Sequence, residues 1–297
     1  MLSPLDHLGV LIAMRFPCFL ASIYDFANAR REARLKMEGL IEEAVRNGQI
    51  VLLDSGLYER KWLRDQKWSR PKFRSALAGI PCHLGFSYDV IKRRPGRTAA
   101  AEIVAQVLGD RRTTDLATLF PIIHGKPDEL PGLAKEVAIG LDSDIIAVAE
   151  RELGDGVLAG CKTMMAIRRS LDETERYRVV HILGTGNPLS VLIYSACGAD
   201  SFDGLDWCQT VADQESKRLY HSQQLDFFTE QSDYAKNTDQ LYSTRMLAHN
   251  LEFYRNWMGE IQRHRSEGKL KDLLRQVLPK AFCEKLQVVL DQEAAGQ

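Results

Sequence analysis

The sequence predicts an α/β protein: a (β/α)8 TIM-type barrel with an insertion after the last strand and C-terminal helices. Three observations lead there. Short apolar or β-branched runs alternate with longer amphipathic stretches, the pattern of parallel strands covered by helices. Seven such runs occur, and the N-terminal run 9–14 supplies an eighth, the number a closed barrel uses. No Gly-x-Gly-x-x-Gly follows the first strand, which counts against an open dinucleotide-binding sheet.

In chain order, strands are expected at 19–24, 50–54, 84–89, 119–124, 145–149, 179–183 and 200–203. The apolar stretch 8–20 is interrupted by Arg15 and Pro17 and lacks a basic start, so it reads as a buried strand rather than a signal or membrane span. Between the strands, apolar residues recur at three- and four-residue spacing over 28–46, 98–108, 130–139, 157–171 and 189–196, which predicts helices. The polar stretch 207–240 is read as an excursion from the barrel. A long helix over 241–264 and another from 270 to 278 open the C-terminal helical region, 241–297. Residues 1–297 are read as one domain, without low-complexity segments or fixed-period repeats.

Composition narrows the class. Of 297 residues 45% are hydrophobic and 27% charged, a globular mix that excludes a disordered tail protein. Lys plus Arg total 39 against 40 Asp plus Glu, so a uniformly basic nucleic-acid coat is excluded as well. The six cysteines, Cys18, Cys82, Cys161, Cys197, Cys208 and Cys283, form no Cys-x-x-Cys pair. Their wide spacing predicts neither a disulfide framework nor a four-cysteine zinc site, and a cytoplasmic location is expected.

Chemistry is expected at the strand ends. Asp54, Asp89 and Asp203 each close a predicted strand. In a barrel those ends converge on the face where active sites are built. Carboxylates sharing one mouth repel, which leaves a proton donor beside an ionised partner and suits cleavage of a glycosidic bond. Each Asp taken singly also fits a helix cap or a turn former.

The residues then resemble a family. Val51-Leu-Leu-Asp-Ser-Gly56 resembles the Asp-Ser-Gly strand end of the tRNA-guanine transglycosylases. His181-Ile-Leu-Gly-Thr-Gly186 followed by Cys197-Gly-Ala-Asp-Ser-Phe-Asp203 looks like their last two barrel strands, and Ala248-His-Asn-Leu-Glu-Phe-Tyr254 like the helix that follows. The ordered set spans residue 51 to about 275. The resemblance implies a barrel enzyme that breaks the bond between a nucleobase and its ribose. It implies that Asp203 is the nucleophile forming a covalent glycosyl intermediate, and that Asp54 is a general acid/base or orients the incoming group. Asp89 and His124 fall where the family contacts the base.

Departures matter equally. The family's zinc site uses three close cysteines and the helix histidine, but no cysteine lies between Cys208 and Cys283. His249 alone cannot hold a tetrahedral ion, so a packed helix residue, no metal and no cofactor are expected. The Gly-Gly loop that cradles a 7-deazaguanine is replaced by Ala147-Val-Ala-Glu-Arg-Glu-Leu-Gly154, so Glu150 is expected to read a different base. Leu205-Asp-Trp-Cys-Gln209 replaces the usual Pro-Thr-Arg and brings Trp207 near the nucleophile. Tyr58 is a further base-binding candidate, and Trp62, Trp68 and Tyr88 are available to stack. His181 is read as a satisfied core residue, and Gly184 and Gly186 as turn formers.

A nucleic-acid partner is expected from two basic segments. Residues 60–74 carry Arg60, Lys61, Arg64, Lys67, Arg70, Lys72 and Arg74 with one acid, a charge of +6, interleaved with Trp62, Trp68 and Phe73. Residues 92–97 add Lys92, Arg93, Arg94 and Arg97, +4. Because the whole chain is −1, the remainder carries −11, a polarised molecule with a positive active-site face. A solvated charged loop is the plainer reading of either run.

The expected function is cleavage of the N-glycosidic bond of a modified nucleobase in DNA, by excision as a glycosylase or by exchange as a transglycosylase. Relatives of the DNA-acting branch imply phage defence or DNA modification. A divergent tRNA-guanine transglycosylase is the alternative, and a non-catalytic nucleic-acid-binding subunit the second alternative. A homodimer is compatible with the sequence, and no membrane partner is expected.

Overall fold

Parallel neighbours in a sheet need crossover connections, and helices supply them here. The computed structural model describes residues 3–89, 98–114 and 118–295. Its strands are β1 (Cys18–Ser22), β2 (Ile50–Asp54), β3 (Leu84–Phe86), β4 (Thr118–Phe120), β5 (Ile122–Ile123), β6 (Ile145–Ala149), β7 (Val179–Leu183), β8 (Ser201–Phe202), β9 (Thr210–Asp213) and β10 (Arg218–His221). Helices of the first half are α1 (Pro4–Ala13), α2 (Ile23–Asn28), α3 (Arg31–Arg46), α4 (Leu57–Trp62), α5 (Arg70–Leu77), α6 (Ala99–Arg111) and α7 (Leu130–Leu141). Those of the second half are α8 (Val157–Asp172), α9 (Pro188–Ala196), α10 (Asp206–Gln209), α11 (Asp233–Lys236), α12 (Tyr242–Ser266), α13 (Leu270–Val277) and α14 (Lys280–Ala295). Among the described residues the strands form two four-stranded sheets in chain order, β1-β2-β3-β4 and β5-β6-β7-β8, and a β9–β10 hairpin. The protein is thus α/β with parallel sheets.

The N-terminal strand expectation is overturned. Residues 9–14 lie mostly in α1, because Ser3 and Asp6 form a capping box and Pro4 opens the first turn. Leu8, Leu11 and Ile12 then bury one face at helical spacing. An apolar run of this length fits helix or strand, and the cap chemistry decides. The expected strand 119–124 divides at Pro121, which has no N–H for a ladder, into β4 and β5 in different sheets. The expected strand 19–24 stops at Ser22, where α2 begins. The polar stretch after residue 207 holds the β9–β10 hairpin and a 3-10 segment, Ser222–Gln231.

The chain divides into two compact units, one of residues 1–124 and 133–147, the other of residues 125–132 and 148–297. In the first, β1 to β4 are parallel, with Ser22 opposite Asp54, Leu53 opposite Gly85 and Phe86 opposite Phe120. Fully buried Phe26, Ile41, Leu53, Phe73, Phe86 and Leu119 make its core. In the second, His181 and Ile182 of β7 lie opposite Ser201 and Phe202 of β8. The 25-residue α12 packs on α9, α10 and β9 through Leu247, Leu251 and Trp257, and the indole N–H of Trp257 donates to the Pro188 carbonyl at 2.9 Å. No helix among the described residues is long and apolar enough to cross a membrane.

Asp25 on α2 carries a pH signature. Burial, reinforced by the nearby Glu59 carboxylate, pushes its carboxyl up to about 7. The folded-state value lies above the unfolded one, so the Asp25 contribution is complete below about pH 4 and is lost as pH rises through about 7. Asp25→Asn is therefore expected to gain stability relative to the native chain between about pH 5 and pH 8, on the order of 2 kcal/mol. Urea unfolding at the two pH values checks this; an equal offset at both would refute it.

Candidate functional site

In the first unit three sequence-predicted residues converge. Asp54 is the last residue of β2, and its Oδ2 accepts the Gly56 N–H at 2.9 Å. That turn requires glycine: Gly56 has φ 76°, and a Cβ would stand 2.5 Å from Tyr24 Cβ. The buried Ser55 hydroxyl donates to Asp89 Oδ2 at 3.5 Å, while the Trp68 indole N–H donates to the Ser55 carbonyl at 3.1 Å. Asp89 Oδ1 faces His124 Nε2 at 3.6 Å. Asp89 does not close its strand as expected: β3 ends at Phe86, and Asp89 stands three residues beyond.

Asp110 explains that early end. Its carboxylate on α6 is fully buried and takes Arg70 at 2.5 Å, Arg74 at 2.8 Å, the Ser87 hydroxyl at 2.6 Å and the Tyr88 N–H at 3.2 Å. Arg70 also donates to the Tyr88 carbonyl at 2.9 Å and lies over its ring at 5.1 Å. Residues 87 and 88 are thereby held by α5 and α6, and Asp89 is carried with them.

In the second unit the site gathers around Asp203, which follows β8 directly. Its Oδ1 accepts the Gly184 N–H at 2.9 Å and faces His181 Nε2 at 3.4 Å. The other His181 nitrogen is 2.9 Å from the Ser201 hydroxyl. The side chain of Asp203 is 25% exposed, and Oδ2 takes no hydrogen bond from the described residues. His181 thus does more than fill the core: it is buried and turned toward Asp203.

The Gly184–Gly186 loop wraps this carboxylate. A Cβ on Gly204 would lie 2.6 Å from the Gly186 nitrogen, and one on Gly186 would lie against the Asp206 carboxyl. The Tyr254 hydroxyl donates to the Gly186 carbonyl at 2.7 Å. Burial raises the Asp206 carboxyl above its ordinary range, and the Gly186 N–H partly offsets this. Glu150, in the 3-10 turn after β6, is likewise raised by burial; the Thr185 hydroxyl opposes the rise and the Asp206 charge adds to it. Desolvation also pushes up the Tyr254 and Tyr194 hydroxyls. Three carboxyls, Asp203, Glu150 and Asp206, therefore surround one glycine-rich turn, one of them quarter-exposed and two held toward the protonated form.

His249 is the packed helix residue the sequence suggests. Its Nε2–H donates to the Ala212 carbonyl at 2.7 Å, and Nδ1 accepts the Ser232 hydroxyl at 2.8 Å. Burial lowers its pKa. Neighbouring Asn250 donates to the Trp207 and Thr210 carbonyls and accepts the Ala212 N–H, tying α12 to the segment after Asp203. Trp207 itself is half-buried. Among the described residues, no group of three His, Cys, Asp or Glu side chains is arranged to hold a metal ion.

The basic residues separate into two sets. Arg70 and Arg74 turn inward to Asp110, and Arg60 donates to the Tyr88 hydroxyl at 3.2 Å, so these three hold the fold. Lys61, Arg64, Lys67 and Lys72 are exposed. Lys92, Arg93, Arg94 and Arg97 lie outside the described residues. The aromatic residues separate likewise. Trp68 and Tyr88 are buried, whereas Tyr58 and Trp62 are 51% and 76% exposed.

A scan of protein-family models finds no match to this sequence, and a search of curated proteins finds none. Asp110, Asp206 and His181 are the residues that sequence reasoning passed over or read as core. Strand alternation places His181 on the same side of β7 as the strand's last residue, two positions on, the available signal for it. Asp110 gave none, because its partners lie 22 to 40 positions away.

Removing the Asp110 carboxylate strands two guanidinium groups. Asp110→Ala is expected to lose about 3–5 kcal/mol, the range for breaking a buried pair from one side. Urea denaturation measures it; a loss under about 1 kcal/mol would contradict the buried network.

Proposed function

We propose that this chain cleaves the N-glycosidic bond of a nucleobase in DNA, with Asp203 as the nucleophile. The observation that carries the reading is the state of that carboxylate. One oxygen is fixed by the Gly184 N–H and faced by His181, while the other takes no hydrogen bond from the described residues and the side chain is part-exposed. A carboxylate oriented through one oxygen keeps the second as a nucleophile. In the reaction Asp203 attacks C1′, the C1′–N bond breaks, and the base leaves with that electron pair and takes up a proton. Water then opens the glycosyl ester, giving excision, or a free base does so, giving exchange. Asp54 is assigned the proton transfer or the positioning of the incoming group. Asp89, His124 and Glu150 are assigned to the base. The closed (β/α)8 barrel belongs to the same proposal and is supported by strands that follow one another in chain order within each sheet.

The charged Glu150 turn, where the resembled family has a Gly-Gly loop, favours a base other than 7-deazaguanine. The buried, fully bonded His249 leaves no ring nitrogen for a zinc ion, which separates the chain from the zinc-dependent tRNA enzymes. DNA modification or phage defence is the role that fits a DNA substrate.

Incubation with modified DNA, plain DNA and tRNA, followed by mass spectrometry of the released bases, tests the reading. A base is expected from modified DNA. Release from tRNA alone would move the assignment to a tRNA transglycosylase, and release from none would leave a binding subunit. Asp203→Asn is expected to lower release by about 10³-fold or more, and Asp54→Asn by roughly 10²–10⁴-fold. Undiminished release by Asp203→Asn would remove it as nucleophile.

A further inference from the structure

The exposed aromatic pair on α4 has no part in the chemistry above. Tyr58 and Trp62 are four positions apart, so their side chains share a helix face. Their rings stack with centroids 6.4 Å apart and planes 7° from parallel. Trp62 is 76% exposed and Tyr58 51%, whereas Trp68 and Trp257 are buried to 1%. An indole left in water forgoes the burial that large aromatic side chains normally obtain, so its placement calls for an external partner. Stacking on Tyr58 sets the ring plane of Trp62 and leaves its other face to solvent, a flat surface rather than an apolar groove.

The surroundings select the partner. Lys61, Arg64 and Lys67 flank Trp62 on the same short segment and are exposed. The nearby acid, Asp65, is engaged by the Tyr24 hydroxyl at 3.1 Å and the Lys67 N–H at 2.8 Å, with the Lys67 and Lys72 charges further lowering its pKa. A flat π-surface ringed by cations matches a base attached to a phosphate chain.

We propose that the outer face of Trp62 is a stacking platform for an unpaired nucleotide of a nucleic-acid strand, with Lys61, Arg64 and Lys67 set against its phosphates. This deepens the preceding reading and rests on it for the nucleic-acid nature of the substrate. A stacked base inside a duplex has no free face, so the platform engages single-stranded DNA or a locally opened duplex. Stacking of this kind tolerates any base, so it serves to hold a strand rather than to read its sequence. An enzyme that acts on a base must take it out of the stack, and a platform for an unpaired neighbour holds the strand open.

The test is equilibrium binding of an unmodified single-stranded DNA oligonucleotide and of the same sequence as a duplex, followed by anisotropy and by tryptophan emission. The single strand is expected to bind more tightly than the duplex and to quench the emission of the native chain. Trp62→Ala should weaken binding about tenfold or more, Trp62→Phe should weaken it less and abolish the quench, and Lys61→Gln should reduce the salt slope by about one. Trp62 is at the surface, so circular dichroism of the variants should match the native chain. Unchanged affinity of Trp62→Ala, a quench that persists in Trp62→Phe, or equal affinity for duplex would each overturn the proposal. Unchanged DNA affinity together with lost self-association in sedimentation would assign the patch to a second copy of this chain instead. The substrate here is unmodified and the readout is binding, so a chain that binds through Trp62 yet releases no base would refute the glycosidic reading alone. Base release with unaltered binding by Trp62→Ala would refute the platform alone.

Discussion

Strands of a parallel sheet are covered on both faces, so a carboxylate cannot sit in mid-strand without losing its hydration. It is tolerated at the strand end, where backbone N–H groups turn away from the ladder and become available. The arrangement of this protein follows from that constraint. Asp54 ends β2 and takes the Gly56 N–H; Asp203 follows β8 and takes the Gly184 N–H. In both places a glycine supplies the turn that aims the amide. Carboxylates held by one backbone donor are ionised, oriented and part-exposed, the conditions under which a carboxylate performs chemistry rather than merely closing a helix.

Around these two positions the structure pairs charges in opposite senses. Asp110 is buried and oversupplied with donors, and it converts two arginines of a basic segment into supports for the Ser87–Asp89 turn. Glu150 and Asp206 are buried with few donors and face one another, so both are held toward the protonated form. The first arrangement gives rigidity, since removing either partner leaves a desolvated charge. The second gives proton-bearing groups beside an ionised one, the separation of acid and base roles that glycosidic cleavage uses.

The segment after Asp54 illustrates why composition alone misassigns side chains. Residues 60–74 read as a single basic and aromatic track, yet Trp68, Phe73, Arg70 and Arg74 face inward while Trp62, Lys61, Arg64 and Lys67 face water. Two short helices, α4 and α5, make the division: Gly56 directs α4 outward, and α5 lays Phe73, Ala76 and Leu77 on the core. The positive surface that remains is smaller than the count of basic residues suggests, and it is concentrated about one exposed indole.

What the sequence by itself determined is whatever repeats locally. Apolar runs placed β2, β6 and β7 at their observed bounds, and helical spacing located α3, α6, α8, α9 and α12 within a few residues. The strand ends marked Asp54 and Asp203, and the lone His249 was rightly read as a packed residue. Local patterns do not carry cap competition or distant partners. Ser3 and Asp6 turned an apolar run into α1, Pro121 split a strand, and Asp110 ended β3 early through contacts with α5 and the turn it anchors. The approach of Asp89 to His124, the facing of His181 and Asp203, and the inward turn of Arg70 and Arg74 were decided only by the tertiary structure. Each of these joins residues 4 to 36 or more positions apart in the chain, and whether a charge meets a partner or water depends on which side of an element faces the core.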